Sequence, residues 1–179
     1  MLRSGPIVFE CLALRPLRDA DAPAFADAAR ESTETVGRWM PWCTPSFSEQ
    51  DALAWFQLCR DSLEAGTGYE FGVFSAETGA LLGGAGLNAI NRQNRYCNLG
   101  YWVRQSAQRR GVAQRTVQAL APYAFGTLGM QRVEIVIAAG NRASEAVARK
   151  VGAQFEGMAR NRLQLHGAAV SAAVYALVP

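Results

Sequence analysis

The stretch that most constrains this chain runs from Cys97 to Leu128, CNLGYWVRQSAQRRGVAQRTVQALAPYAFGTL. It opens on a strand-like run rich in aromatic and β-branched residues, Leu99 to Val103. A polar, basic loop follows, from Arg104 to Arg110, and then Gly111. Beyond the glycine, Ala113, Val117, Leu120, Ala121, Ala124, Phe125 and Leu128 recur at helical steps and form one apolar face. A strand, a basic glycine loop and a helix start make an anion site by elementary physics. The first helical N–H groups lack internal partners, and the helix dipole adds partial positive charge there. Gly111 carries no Cβ and lets the backbone approach a ligand. Arg109 and Arg110 add full charges. The same pattern also suits an ordinary loop before an amphipathic helix, so the remaining chain decides.

At 179 residues one domain is the expectation, with room for a substantial core. The net charge of +3 is too small to imply nucleic-acid binding, while leaving acidic ligands open. Positive charge clusters at Arg104, Arg109, Arg110 and Arg115, which suits one polyanion or a solvated basic face. The cysteines Cys11, Cys43, Cys59 and Cys97 are widely spaced, and a disulfide framework is not needed at this size. With His166 as the one histidine, a His-based metal site lacks ligands, and no metal is expected. His166-Gly167 reads as a hairpin tip. No apolar run is long enough to span a membrane, and MLRSGPIVFE lacks the apolar core of a signal segment. A cytoplasmic protein is the expectation.

In chain order, Leu12 to Leu17 alternates as a first strand that Pro16 ends or holds at an edge. Asp19 and Asp21 supply helix-start chemistry before an alanine-rich helix, Ala22 to Arg30. The connection that follows is dense in aromatics: Trp39, Met40 and Trp42, broken by Pro41 and Pro45. Ser48 to Asp51 forms a capping box for a helix ending at Gly66. Tyr69 to Phe74, Leu81 to Leu87 and Cys97 to Val103 make a three-strand meander. Gly83, Gly84 and Gly86 crowd its middle strand, which predicts close packing against something bulky. The long helix after Gly111 contains Pro122, which predicts a bend. Arg132 to Ala138 suits a buried parallel strand after the crossover. Asn141 caps the next helix, which stops near Gly152. Ala153 to Leu165 and Ala168 to Val178 then read as a final hairpin.

The order is β-α-α-β-β-β-α-β-α-β-β. Together with LRPLRDADAPAF, GRWMPW, GYWV, QRRGVAQ, the pair Asn141 and Ser144 in NRASEAVARKVG, and QFEG, it resembles the GCN5-related N-acetyltransferases (GNAT), Rim-type branch. Gln108, Gly111 and Ala113 match that family's Q/R-x-x-G-x-G/A signature. The resemblance implies an α/β fold: a mixed, mostly antiparallel central sheet of about seven strands, flanked by helices and splayed at the fourth and fifth. It implies acetyl-CoA as cosubstrate and direct acetyl transfer to a primary amine. A peptide or protein N-terminal α-amine of the ribosomal-protein alanine or serine type comes first. A small-molecule amine, or a catalytically weak acyl-CoA-binding protein, is the alternative. A homodimer is allowed; neither membrane nor direct nucleic-acid partners are expected.

The same resemblance assigns residues. Backbone at Trp102, Val103 and Arg104 would pair with the pantetheine arm. The N–H groups of Gln108, Arg109, Arg110, Gly111, Val112 and Ala113 would hold the pyrophosphate, bordered by Gln114. Asn141 would contact the cofactor arm besides capping its helix. Ser144 matches a serine that protonates the leaving thiolate, or serves only as a local cap. Trp39, Met40, Trp42 and Tyr101 would line the acceptor side, although the aromatic loop also suits a packing plug. The general base departs from the family pattern. Asn98 stands in the neighbourhood where many relatives carry a glutamate, Leu163 where some Rim-type members carry one, and Ser171 where relatives often carry aspartate. Glu70, Glu156 or a water chain could substitute. Since an α-amine titrates near ~8 and lysine near ~10.4, the absence of the usual base favours an α-amine.

Overall fold

The computed structural model describes residues 5–179. The reading of the extreme N-terminus as free of a signal segment falls partly on residues outside that range. A short strand β1 (Ile7–Phe9) pairs with β2 (Leu12–Arg15), which stops before Pro16. β1 was not foreseen in the sequence and raises the strand number from about seven to eight. A single 3-10 turn at Asp19–Asp21 leads into α1 (Ala22–Glu31). After a run of turns comes α2 (Glu49–Ala65), opened by the expected capping box. The Ser48 hydroxyl accepts from Asp51 N–H, and the Asp51 carboxylate accepts from Ser48 N–H. Gly66 closes the helix at φ 66°, a left-handed conformation that glycine adopts without strain.

The meander is β3 (Tyr69–Ser75), β4 (Leu81–Asn91) and β5 (Tyr96–Val103). α3 (Val112–Gly126) crosses over to β6 (Arg132–Ala138), with Pro122 inside the helix. α4 (Arg142–Lys150) precedes the hairpin of β7 (Gln154–Leu165) and β8 (Ala168–Leu177), whose tip is His166-Gly167. The strands form one sheet in the order β1-β2-β3-β4-β5-β6-β8-β7. Among the described residues only β5 and β6 pair in parallel, as a helical crossover requires.

Apolar alternation sends the two sheet faces to different helices. Tyr69, Phe71, Val73, Leu87 and Leu99 pack with Val117 and Leu120 of α3 in the larger core. Phe74 and Leu81 pack on the opposite face with Phe25 of α1 and Phe56 of α2. Fully burying a side chain such as Leu120 contributes roughly 1.5–3 kcal/mol.

The functional consequence lies between β5 and β6. Their pairing runs from Tyr96–Arg132 to Asn98–Glu134 and then stops. β5 stays with β4 as far as Val103, and β6 stays with β8 as far as Ala138. The sheet therefore opens from Leu99 onward, and among the described residues one edge of β5 has no strand beside it. Two cavities meet at this opening.

Candidate active site

The first cavity is a cleft of about 600 Å³ on the α3–α4 side of the opening. Gly111 forms its key corner. At φ 75° it is the N-cap of α3 and supplies no side-chain acceptor. The N–H groups of Val112, Ala113 and Gln114 therefore begin the helix without intrahelical partners, and all three residues line the cleft. The opposite wall is one face of α4: Ala143, Ala146, Val147 and Lys150. Two alanines on that face leave room for a narrow ligand. The charged residues of the lining are Arg38, Arg109 and Lys150 against Glu34, so the cleft has a net positive lining. Unpartnered helix-start amides and surplus cations fit a polyphosphate-bearing ligand.

The loop before Gly111 is braced from α1 and the turns that follow it. The Gln108 amide donates to the Thr35 hydroxyl at 3.0 Å and to the Val103 carbonyl at 2.9 Å. Glu31 binds the Arg104 guanidinium and accepts from Ser106 N–H at 2.6 Å. The Arg104 pairing, supported by Ser106 and opposed by burial, holds the Glu31 carboxyl down to about 2. Gln105 N–H donates to the Ser32 hydroxyl at 2.9 Å. The sequence cluster of four arginines thus divides. Arg104 is committed to Glu31 and Arg115 to Glu10, Arg110 does not line the cleft, and Arg109 does.

The second cavity, of about 330 Å³, lies on the α1–α2 side. It is walled by aromatic rings, and Met40, Tyr101 and Trp102 belong to both cavities. Its sheet-side floor includes Gly84, Gly86 and Gly100. The crowded glycines are explained here. A Cβ at Gly84 would stand 2.6 Å from the Trp102 indole nitrogen, and one at Gly86 would run into the Glu70 carboxylate. Both groups lie flat on the sheet because the glycines leave the space.

Glu70 is the one charged residue of this lining. Burial pushes its pKa up, and the Asn88 amide pulls it back. That amide is 3.5 Å from Glu70 Oε1, and Asn88 in turn accepts from Asn98 Nδ2 at 3.0 Å. Asn98 thus ends a polar ladder that leads to a carboxylate two strands away. Across the junction the Tyr101 hydroxyl is 2.9 Å from Ser144 Oγ. Burial raises the Tyr101 phenol to about 12, against a lowering by the Ser144 hydrogen bond. At neutral pH it keeps its proton and can donate it.

Not every expected site residue meets here. Trp42 and Met40 line the aromatic cavity, but Trp39 lines the α3–α4 cleft instead. The cause is local: Trp39 N–H and Met40 N–H both turn back to Val36 O, and this tight turning sends neighbouring side chains to different sides. Glu156 lines neither cavity. It sits against Arg132, which lowers its pKa, and Arg132 opens the end of β6 that remains paired to β5. Asn141 caps α4 by accepting from Ser144 N–H at 3.2 Å and also lines the cleft. The backbone of Trp102 and Val103 lies along the open edge of β5, and both residues line the cleft. Arg38, Glu31 and Lys150 were missed in the sequence. Lys150 was findable, being one helical face with Ala143 and Val147.

A family model described as an acetyltransferase (GNAT) domain matches residues 12–154. The chain belongs to the GNAT family. Among its relatives, Bacillus subtilis YdaF, provisionally named a ribosomal N-acetyltransferase, is 29% identical over 89% of this chain and 87% of its own. A solved Vibrio cholerae protein, provisionally named a ribosomal-protein-serine acetyltransferase, is 31% identical, covers 100% of both chains and superposes with a TM-score of 0.89. The ribosomal L7/L12 acetyltransferase RimL, solved with coenzyme A, has a TM-score of 0.86 over 97% of this chain and 96% of its own. Its 23% identity speaks to fold. The chain is thus a GNAT acetyltransferase. Among the described residues no helix is long and apolar enough to cross a membrane, and no cluster of metal-binding side chains is present.

Proposed function

We propose that this acetyltransferase moves an acetyl group from acetyl-CoA directly to a primary amine, with a peptide or protein N-terminal α-amine as acceptor. One observation carries the reading: the opening between β5 and β6 joins an anion-binding helix start to a cavity that holds a single carboxylate. Acetyl-CoA supplies the activated acyl carbon and a thiolate leaving group. The N–H groups of Val112 to Gln114, with Arg109 and Lys150, hold its phosphates. The free edge of β5 at Trp102 and Val103 takes its amide arm, beside Asn141.

Forming the N–C bond and breaking the C–S bond leaves one proton to remove from the amine and one to supply to sulfur. Glu70 removes the first, directly or through water, because its raised pKa brings it closer to that of an amine. Tyr101, with Ser144 at its hydroxyl, supplies the second. Glu156 has no part in this assignment. A non-catalytic acyl-CoA-binding role is disfavoured, since the cavity holds a carboxylate, Glu70, that can take the proton. Relatives named for ribosomal-protein acetylation place ribosomal-protein termini among the acceptors to be tested. The test is thiol release from acetyl-CoA over a panel of peptides and amines, with the acetylated product confirmed by mass. Acceptor-dependent release supports transfer; acetyl-CoA binding with no release for any acceptor contradicts it.

A further inference from the structure

We propose that the preferred acceptor is a primary amine carried on a bulky apolar group, foremost an aromatic one, rather than a small alanine or serine terminus. The inference rests on the transfer reading above and names the substrate class of the same site. Its basis is the material of the 330 Å³ cavity. That volume lies at the low end of ligand sites, large enough for one side-chain-sized body.

The walls are aromatic and fixed. The Phe25 ring lies 5.3 Å from Trp102 and 6.0 Å from Trp42, and Trp42 lies 5.4 Å from Trp102. Such mutual packing holds each ring in place before any ligand arrives. Trp42 and Trp55 line the cavity yet remain 38% and 41% exposed. An apolar body entering between them removes that surface from water; an alanine methyl covers little of it.

Charge and side-chain amide are confined to two residues of the lining. Glu70 and Asn88, both on the sheet side, are the charged and amide members of the lining. The carboxylate matches an incoming ammonium and repels an acidic side chain. The glycine floor keeps this depth: a side chain at Gly84 or Gly86 would displace Trp102 or Glu70.

The same chemistry could arrive on a peptide or on a free amine, so the experiment has both arms. Thiol release from saturating acetyl-CoA is measured for tetrapeptides that differ only in a first residue of Phe, Leu, Ala or Ser, and for phenethylamine against ethylamine. A pocket of this kind discriminates by roughly 10- to 200-fold per missing apolar group. The bulky member of at least one arm is expected to exceed its small counterparts at least tenfold in kcat/KM, and the arm that does so identifies the source. The Gly100→Val variant then tests the cavity itself. A Cβ at Gly100 meets nothing nearer than the Asn98 amide at 3.9 Å, so the side chain fits the strand but fills the cavity. It is expected to lower the bulky-to-small ratio at least tenfold, with calorimetric acetyl-CoA affinity reporting on the fold. Alanine or serine peptides matching or beating phenylalanine in the wild type, with ethylamine matching phenethylamine, overturn this inference and leave the transfer reading standing. An unchanged ratio in Gly100→Val also overturns it. Binding of acetyl-CoA with no release for any acceptor overturns the transfer reading, and this inference falls with it.

Discussion

The two cavities that meet at Tyr101 are made of different materials. The α3–α4 cleft offers backbone: helix-start amides at Val112 to Gln114 and the unpaired edge of β5. The aromatic cavity offers side chains drawn from distant parts of the chain, such as Leu17, Trp55 and Trp102. A backbone site needs few particular residues, so it suits a ligand every family member shares. A side-chain site changes with each substitution, so it suits the ligand that differs. The α3–α4 cleft thus serves the shared cofactor and the aromatic cavity the acceptor and its proton, and variants of each half should fail differently.

The largest effect is expected at Glu70. Glu70→Gln should lower kcat/KM by about 10²- to 10⁴-fold, the range of general-base catalysis. Acetyl-CoA affinity should not change, because the carboxylate belongs to the aromatic cavity. In the wild type the rate should rise with pH through an inflection above the ordinary carboxylate range, and this inflection should vanish in the variant. The pKa is raised in the folded state, so the stability contribution is full below the ordinary carboxylate range and falls as pH rises through the raised value. Glu70→Gln should therefore raise Tm at neutral pH, by about 2–4 °C for each kcal/mol of relieved burial. Calorimetry showing a lower Tm would mean that the charge is satisfied rather than strained.

Next comes the junction. Tyr101→Phe should lower kcat and kcat/KM together by roughly 10²-fold, the signature of an interaction made in the transition state. Ser144→Ala removes only the hydrogen-bond partner and should cost about five- to tenfold, on the scale of one ordinary hydrogen bond. Steady-state kinetics in the reverse order would make Ser144 the donor and Tyr101 its support.

The smallest effect is at the brace of the cofactor side. Glu31→Ala should destabilise by about 1–2 kcal/mol in urea unfolding, as a part-exposed pair allows. The Glu31 pKa is depressed to about 2 by Arg104, so this contribution is present above the ordinary carboxylate range and lost as pH falls towards 2. A wild-type minus variant difference that does not shrink below pH 4, roughly the unfolded carboxylate value, would break the assignment to that pair.

The same division governs what was legible in the sequence. The cofactor side was readable because its signals are local: Gly111, the basic loop and the helix period are contiguous, and Asn141 and Ser144 lie three residues apart. The start of α2 followed from the Ser48 capping box, and the β5–β6 opening from the family resemblance. The aromatic cavity was readable only in pieces. Trp39 and Trp42 looked equivalent, and only the turns back to Val36 separate them. Glu70 and Glu156 looked equivalent as strand carboxylates; sheet register placed one over Gly86 in the cavity and the other against Arg132. The glycines of β4 announced a bulky neighbour but could not name Trp102. β1 was missed because three residues carry too little period to register.

The most direct test of the two-material division is acetyl-CoA calorimetry on the wild type, Gly111→Glu and Gly100→Val, with thermal unfolding to confirm that each is folded. Gly111→Glu puts a negative side chain at the helix start, at a backbone conformation that disfavours any side chain. Gly100→Val fills the other cavity. The expected result is binding in the wild type, near-unchanged affinity in folded Gly100→Val and no detectable binding in folded Gly111→Glu. Unchanged affinity in Gly111→Glu, or loss of affinity in a folded Gly100→Val, would contradict it.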